Sequence, residues 1–298
     1  DEVVDNALKG KPLYELYRAV HLIHGIVPTE DSDTERLILV INGAKSGKEK
    51  TRLFSASRSL NQVWAEVVLK APLPDLPKSK LYFFSQKQAG NFRGQFLPNT
   101  EWSLLSPEDE KSDFRLSIEG KTKARLSPLD TEVGEKLYLS DDQGKRSCQL
   151  MLTHNSMGAY LNGIRDLRER IKRVNEKSDR KQSLPKLLKL EARNGRIVGV
   201  PIGTKGIAFT LFETAGSPKF TEERYVAAEE FERVCDTLLR YGQNVEGWLI
   251  DKGVHNSALL LKHTFDTDEF TLVLPLMIST NADRAAISKP FDAEPVGA

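Results

Sequence analysis

Several short stretches of this 298-residue sequence carry residue types that could do chemistry. Gly43-Ala44-Lys45-Ser46-Gly47-Lys48-Glu49 follows an apolar run and imitates a phosphate-binding loop. That loop needs four residues between its glycines and a Ser or Thr after the lysine to hold magnesium. Here there are three, and Glu49 puts a negative charge where the metal ligand belongs. A charged hairpin turn fits better than an NTPase. Glu119-Gly120-Lys121, with Asp113 as a further acid, echoes half of a magnesium nuclease, which needs paired carboxylates and a lysine on adjacent strands. His21 and His24 stand close enough for half a metal site, but no third ligand accompanies them. Gly199, Gly203 and Gly206 lack dinucleotide spacing, and no Gly-x-Ser-x-Gly, His-Glu-x-x-His or Cys-x-x-Cys occurs. The expectation is a non-enzymatic protein with no catalytic residues, no metal and no cofactor.

The elements that would position such residues belong to a globular chain. With 39% apolar and 29% charged residues it can bury a substantial core, and its net charge is only +1. Cys148 and Cys235 make no disulfide framework and read as two buried thiols in a reducing, intracellular setting. No apolar run reaches the length of a membrane span, so no membrane partner is expected. The chain begins at Asp1 rather than Met, which is compatible with a removed targeting peptide. Twelve basic against five acidic residues between 165 and 196 give a local surplus of +7. That stripe reads equally well as a polyanion-facing surface or as a solvated helix end.

Apolar periodicity predicts helices over 13–24, 59–69, 155–174 (capped by Ser156) and 228–241. It predicts strands over 36–42, 51–56, 80–86, 91–97, 114–118, 121–126, 136–140 and 146–153. Further strands fall at 187–192, 196–203 and 206–213, with Arg224-Tyr225-Val226 behind them and a hairpin at 255–263 and 269–278. Residues 80–86 and 91–97 pair across Gly90 in this reading, and 98–113 form an acidic surface loop. The fold class is α+β, built of tandem antiparallel β-sheet-then-helix (ββββα) modules. The clearest module spans 187–248, and a looser copy spans 113–171. The domains are an N-terminal α+β module (1–110), a tandem ββββα domain (111–250), and a C-terminal hairpin and tail (251–298).

Four strands and a helix in tandem over 113–250 resemble the Whirly fold, the kinetoplastid mitochondrial guide-RNA-binding proteins and the Pur repeats. Glu119-Gly120-Lys121-Thr122-Lys123-Ala124 partly echoes the Whirly Lys-Gly-Lys-Ala-Ala motif, and Gly247-Trp248 stands where a Gly-Trp follows its second helix. Phe92-Arg93-Gly94 is a distant likeness to the Pur repeats. The resemblance implies single-stranded RNA or DNA bound by phosphate contacts and base stacking, RNA processing and a mitochondrial location. Phosphate contacts would fall to Lys121, Lys123, Arg125, Arg146 and Lys205, and stacking to Tyr82, Phe84 and Phe92. For each ring the core is the competing place, since aromatic residues favour strands anyway. Of another class is a scaffold or adaptor subunit of a larger (ribonucleo)protein complex, using the same modules for contacts with other protein subunits. A magnesium-dependent nuclease is the third reading.

Overall fold

The computed structural model describes residues 19–20, 22–23, 25, 36–42, 50–57, 63–69, 81–85, 102–105, 113–118, 121–129, 145–177, 182–202, 206–216, 218, 220, 223–240, 243–251, 257–265 and 268–276. These form two compact units. The first holds 1–142 and 262–272, the second 143–261 and 273–298. The strands expected in one domain over 111–250 are thus divided between the units.

In the first unit, β1 (Arg36–Asn42) and β2 (Thr51–Ser57) form the expected hairpin, with Val40 opposite Leu53. Ile38, Leu39, Val40 and Ile41 are all buried, so both faces of β1 are covered. Ala19, Val20, Leu22 and Ile23 are helical and buried, in keeping with the predicted first helix. The helix predicted over 59–69 is instead strand β3 (Val63–Leu69), paired with β2. Its valines satisfy both periods, but Ala65, Val67 and Leu69 alternate inward, and β-branched residues suit a pleated surface better than a helix. Strand β4 (Leu81–Ser85) pairs with β1 on one edge and, over 81–83, with β7 (Lys121–Leu129) on the other. Both edges of 81–83 are therefore taken, and the expected partner, 91–97, lies outside the described residues. Part of the predicted acidic loop is strand β5 (Trp102–Leu105), paired with β6 (Phe114–Ile118), which pairs in turn with β7.

The second unit opens on β8 (Lys145–Leu152), followed by helix α1 (His154–Lys177). Thr153, not Ser156, caps this helix: its Oγ1 accepts from Ser156 N at 3.0 Å, and Ser156 Oγ accepts from Thr153 N at 3.1 Å. Two orphan donors are satisfied reciprocally, as in a capping box. Met157, Tyr160, Ile164, Leu167 and Ile171 form the buried stripe, as predicted. Strands β9 (Leu187–Arg193), β10 (Arg196–Pro201) and β11 (Phe209–Thr214) make a meander. Its first turn needs positive φ at both central residues, and Asn194 (47°) and Gly195 (73°) supply it. Strand β12 (Tyr225–Ala227) pairs with β9, and α2 (Ala228–Leu239) leads to β13 (Val245–Asp251). β14 (Ser257–Phe265) and β15 (Asp268–Leu276) complete the predicted hairpin.

The fold is α+β, as expected, but its modules are framed differently. The looser copy is not one module, because β6 and β7 belong to the first unit and β8 and α1 to the second. From β8 onward the elements instead repeat as β-α-β-β-β. The leading strand of each repeat pairs with the strand after the other repeat's helix: β8 with β13, and β12 with β9. The two units also share a strand order, β2-β1-β4-β7-β6-β5 in one and β14-β13-β8-β11-β10-β9 in the other. Each places a hairpin on one edge of a single strand and a meander on its other edge.

Candidate interaction surfaces

Tyr82, a predicted stacking ring, is 2% exposed and packs edge-on against Phe114, with ring centroids 5.4 Å apart. Burial pushes its hydroxyl pKa up. It belongs to the core and offers no face to a base. Phe84 lies in β4, but its side chain is outside the described residues, as are Phe92 and Lys205.

The remaining cations are divided between the two units. Lys121 and Arg125 are exposed on β7, in the first unit. Lys123 falls at a β-bulge, where the register shifts between Leu116 and Ser117, and so has no cross-strand partner. The register also sets Arg125 opposite exposed Arg115, a like-charge pair that pattern reading missed because it depends on which residues face each other. Arg146 is in the second unit, with its guanidinium 4.8 Å from the centre of the Trp248 ring. The ring it meets is one of the two residues taken as a Gly-Trp motif. The basic stripe is partly neutralised: Arg168 makes a two-point pair with Glu232, Lys189 bonds Glu223 at 2.7 Å, and Arg193 bonds Glu191 at 2.6 Å.

Among the described residues, no three His, Cys, Asp or Glu side chains group as metal ligands. Cys148 and Cys235 are unpaired, and burial pushes both thiols up. Neither has the lowered pKa of a nucleophilic thiol. Tyr160 gathers both polar and aromatic contacts. Its hydroxyl donates to Ala228 O at 2.9 Å, joining α1 to the first turn of α2. Its ring meets Phe231 and Phe209 edge-on at 5.0 and 5.4 Å. Desolvation raises its pKa far above the ordinary tyrosine value, with Cys235 and Glu232 adding to the rise. This hydroxyl is structural.

The described residues leave two stretches of strand edge without a described neighbour. β8 meets β11 only at Leu150 and Met151, so residues 209–212 have β10 on one edge and no described strand on the other. β12 stands at the end of its sheet, with β9 as its one described neighbour.

Two units of the same strand order, with helices following the leading strands of the second, define a duplicated α+β fold. Solved structures share it. The crystal structure of PCNA from Thermococcus kodakaraensis matches with a TM-score of 0.52 and 9% identity, over 89% of this chain and 98% of that one. Proliferating Cellular Nuclear Antigen from Entamoeba histolytica matches with a TM-score of 0.51 and 9% identity, over 88% and 95%. The chain thus has a PCNA-like fold. No family model and no curated protein matches the sequence.

This likeness corrects the functional expectation. The fold matched over nearly the whole chain is PCNA-like and not Whirly-like, so the reading as a Whirly-like, single-stranded RNA-binding protein does not stand. The RNA-processing reading rested on the same resemblance and goes with it, and the mitochondrial reading loses the resemblance that suggested it. Glu119 and Gly120, on which the nuclease reading turned, lie outside the described residues.

Proposed function

We propose that this chain is a non-enzymatic scaffold subunit that acts by binding other protein subunits of a larger complex. The observation that carries the reading is the PCNA-like fold over 89% of the chain. The open strand edges support it, because unpaired backbone groups of an edge strand take a strand from another chain.

The edge of β12 allows a clean test. Leu190 N donates to Arg224 O, and Ala228 N to Lys186 O. Antiparallel pairing alternates, so the Ala227 N–H points away from β9. Ala227 already has φ −65°, the value proline imposes. Ala227→Pro should keep the fold and remove an outward donor. Sedimentation velocity over two decades of concentration should show mass-action self-association of the natural chain, weakened in Ala227→Pro at unchanged melting temperature. A monomer at every concentration would count against self-assembly, and unaffected assembly would exclude this edge.

A further inference from the structure

Three asparagines in this sequence precede a glycine: Asn42-Gly43, Asn162-Gly163 and Asn194-Gly195. In such a pair the glycine nitrogen can attack the asparagine side-chain amide, because no Cβ on the following residue obstructs it. Asn42 ends β1 opposite Thr51, and Gly43 lies outside the described residues. Asn162-Gly163 lies inside α1, where the helical ladder engages each backbone amide. A Cβ on Gly163 would come within 2.5 Å of the Phe209 ring, so this part of the helix is packed closely against β11.

Asn194-Gly195 is in the opposite situation. Both residues are exposed at the tip of the β9–β10 hairpin, with φ of 47° and 73°. Nothing lies within 4 Å of a Cβ built on Gly195. The pairing that closes the hairpin is between Arg193 and Arg196, so the Gly195 N–H stands outside the ladder, and it donates to no described group. Gly195 O accepts from Thr214 N at 2.9 Å, which ties the tip to β11.

We propose that Asn194 is a site of spontaneous covalent modification, with solvent water as the co-reactant. Hydroxide removes the proton of the Gly195 N–H, and that nitrogen attacks Asn194 Cγ. A C–N bond forms there, the bond from Cγ to the side-chain nitrogen breaks, and ammonia leaves with a proton returned by solvent. Water then adds to one carbonyl of the cyclic imide and opens it to aspartate or isoaspartate. Nothing is oxidised or reduced. Ring closure needs rotation about the Asn194 Cα–C bond away from the turn's geometry, so the reaction passes through opening of the hairpin tip, which costs less than opening a packed helix. The two products differ in what they do to the fold. Asp-Gly suits the same turn, so aspartate keeps the hairpin and sets a carboxylate between Arg193 and Arg196. Isoaspartate routes the main chain through Cγ, lengthens it by one carbon and draws Gly195 O away from Thr214 N. The inference is independent of the scaffold reading.

The test ages the full chain at neutral and mildly alkaline pH, folded and in urea, and maps asparagine conversion by fragmentation mass spectrometry. Residues 192–213, released by cleavage after glutamate, contain Asn194 and no other Asn or Asp. In the folded chain Asn194 should convert about tenfold or more faster than Asn162, and faster still as pH rises. In urea the two should convert at similar rates. The Thr214 N–H should lose protection from hydrogen exchange in the isoaspartate form and keep it in Asn194→Asp. Equal rates at Asn194 and Asn162 in the folded chain, conversion of Asn194 no faster than global unfolding, or a rate indifferent to pH would each overturn the proposal. A Thr214 N–H still protected in the isoaspartate form would overturn its structural consequence.

Discussion

Tyr160 shows how one side chain ties elements together and answers to pH. Its hydroxyl is fully buried and hydrogen-bonded to Ala228 O, and desolvation is the largest cause of its raised pKa. A tyrosine raised in the folded state stays neutral there while the unfolded chain ionises near its ordinary value of 10.0. Its contribution is complete below that value and is lost as pH rises beyond it toward the folded pKa. Denaturant midpoints should therefore fall with increasing pH above about 10. Tyr160→Phe should cost about 1 kcal/mol at neutral pH, because Ala228 O also begins the α2 ladder and is not orphaned. It should also flatten the alkaline decline. Tyr82 is raised in the same direction, so part of the slope should remain. An unchanged slope in Tyr160→Phe would contradict this account.

At the scale of elements, α1 is seated against β11 by the absence of a side chain. A Cβ on Gly163 would come within 2.5 Å of Phe209 Cε1 and 2.9 Å of Cδ1, and the Phe209 ring is held edge-on by Tyr160. Helix propensity alone favours alanine over glycine by about 1 kcal/mol. Overpacking a fixed ring costs about 1–3 kcal/mol, so Gly163→Ala should be destabilising on balance. Gly158, in the same helix, has nothing within 4 Å of its would-be Cβ. Gly158→Ala should stabilise by up to about 1 kcal/mol. Urea denaturation of the two variants checks the pair, and a gain from Gly163→Ala would show that Phe209 can move aside.

At the scale of the whole molecule, the first unit is not continuous in sequence. Residues 262–272 belong with 1–142, and Glu269–Leu272 pair with Val68–Ala65 along the edge of β3. Phe270 and Leu272 are each 1% exposed. A fragment of residues 1–142 loses that cover and leaves β3, with its apolar Ala65, Val67 and Leu69, as an open edge. Light scattering should show the fragment aggregating, while the full chain under the same conditions does not. A monomeric fragment with cooperative unfolding would show that the hairpin is dispensable.

The sequence by itself determined the elements whose signals are local. A continuous apolar run found β1, alternation found β2, β6, β9, β10 and β11, a 3.6-residue stripe found α1 and α2, and Asn194-Gly195 marked its turn. Two apolar alternations with a short turn announced the last hairpin as well. Where two periods fitted at once, as in Val63–Leu69, only the neighbours β2 and β15 decided for a strand. The module frame was likewise out of reach. Whether β6 and β7 belong with β8 depends on pairings between residues far apart in the chain, which periodicity does not encode. The same is true of the surfaces. Tyr82 alternates like any strand aromatic until Phe114 closes over it, and Arg115 becomes a neighbour of Arg125 only through register. The tie between α1 and the segment before β9 depends on Asn175 in the helix reaching the backbone of Gln182 beyond its end, which apolar periodicity does not mark. Local spacing fixes which face of an element is apolar. What that face meets, and which polar groups are left over for a partner, follows only from long-range packing.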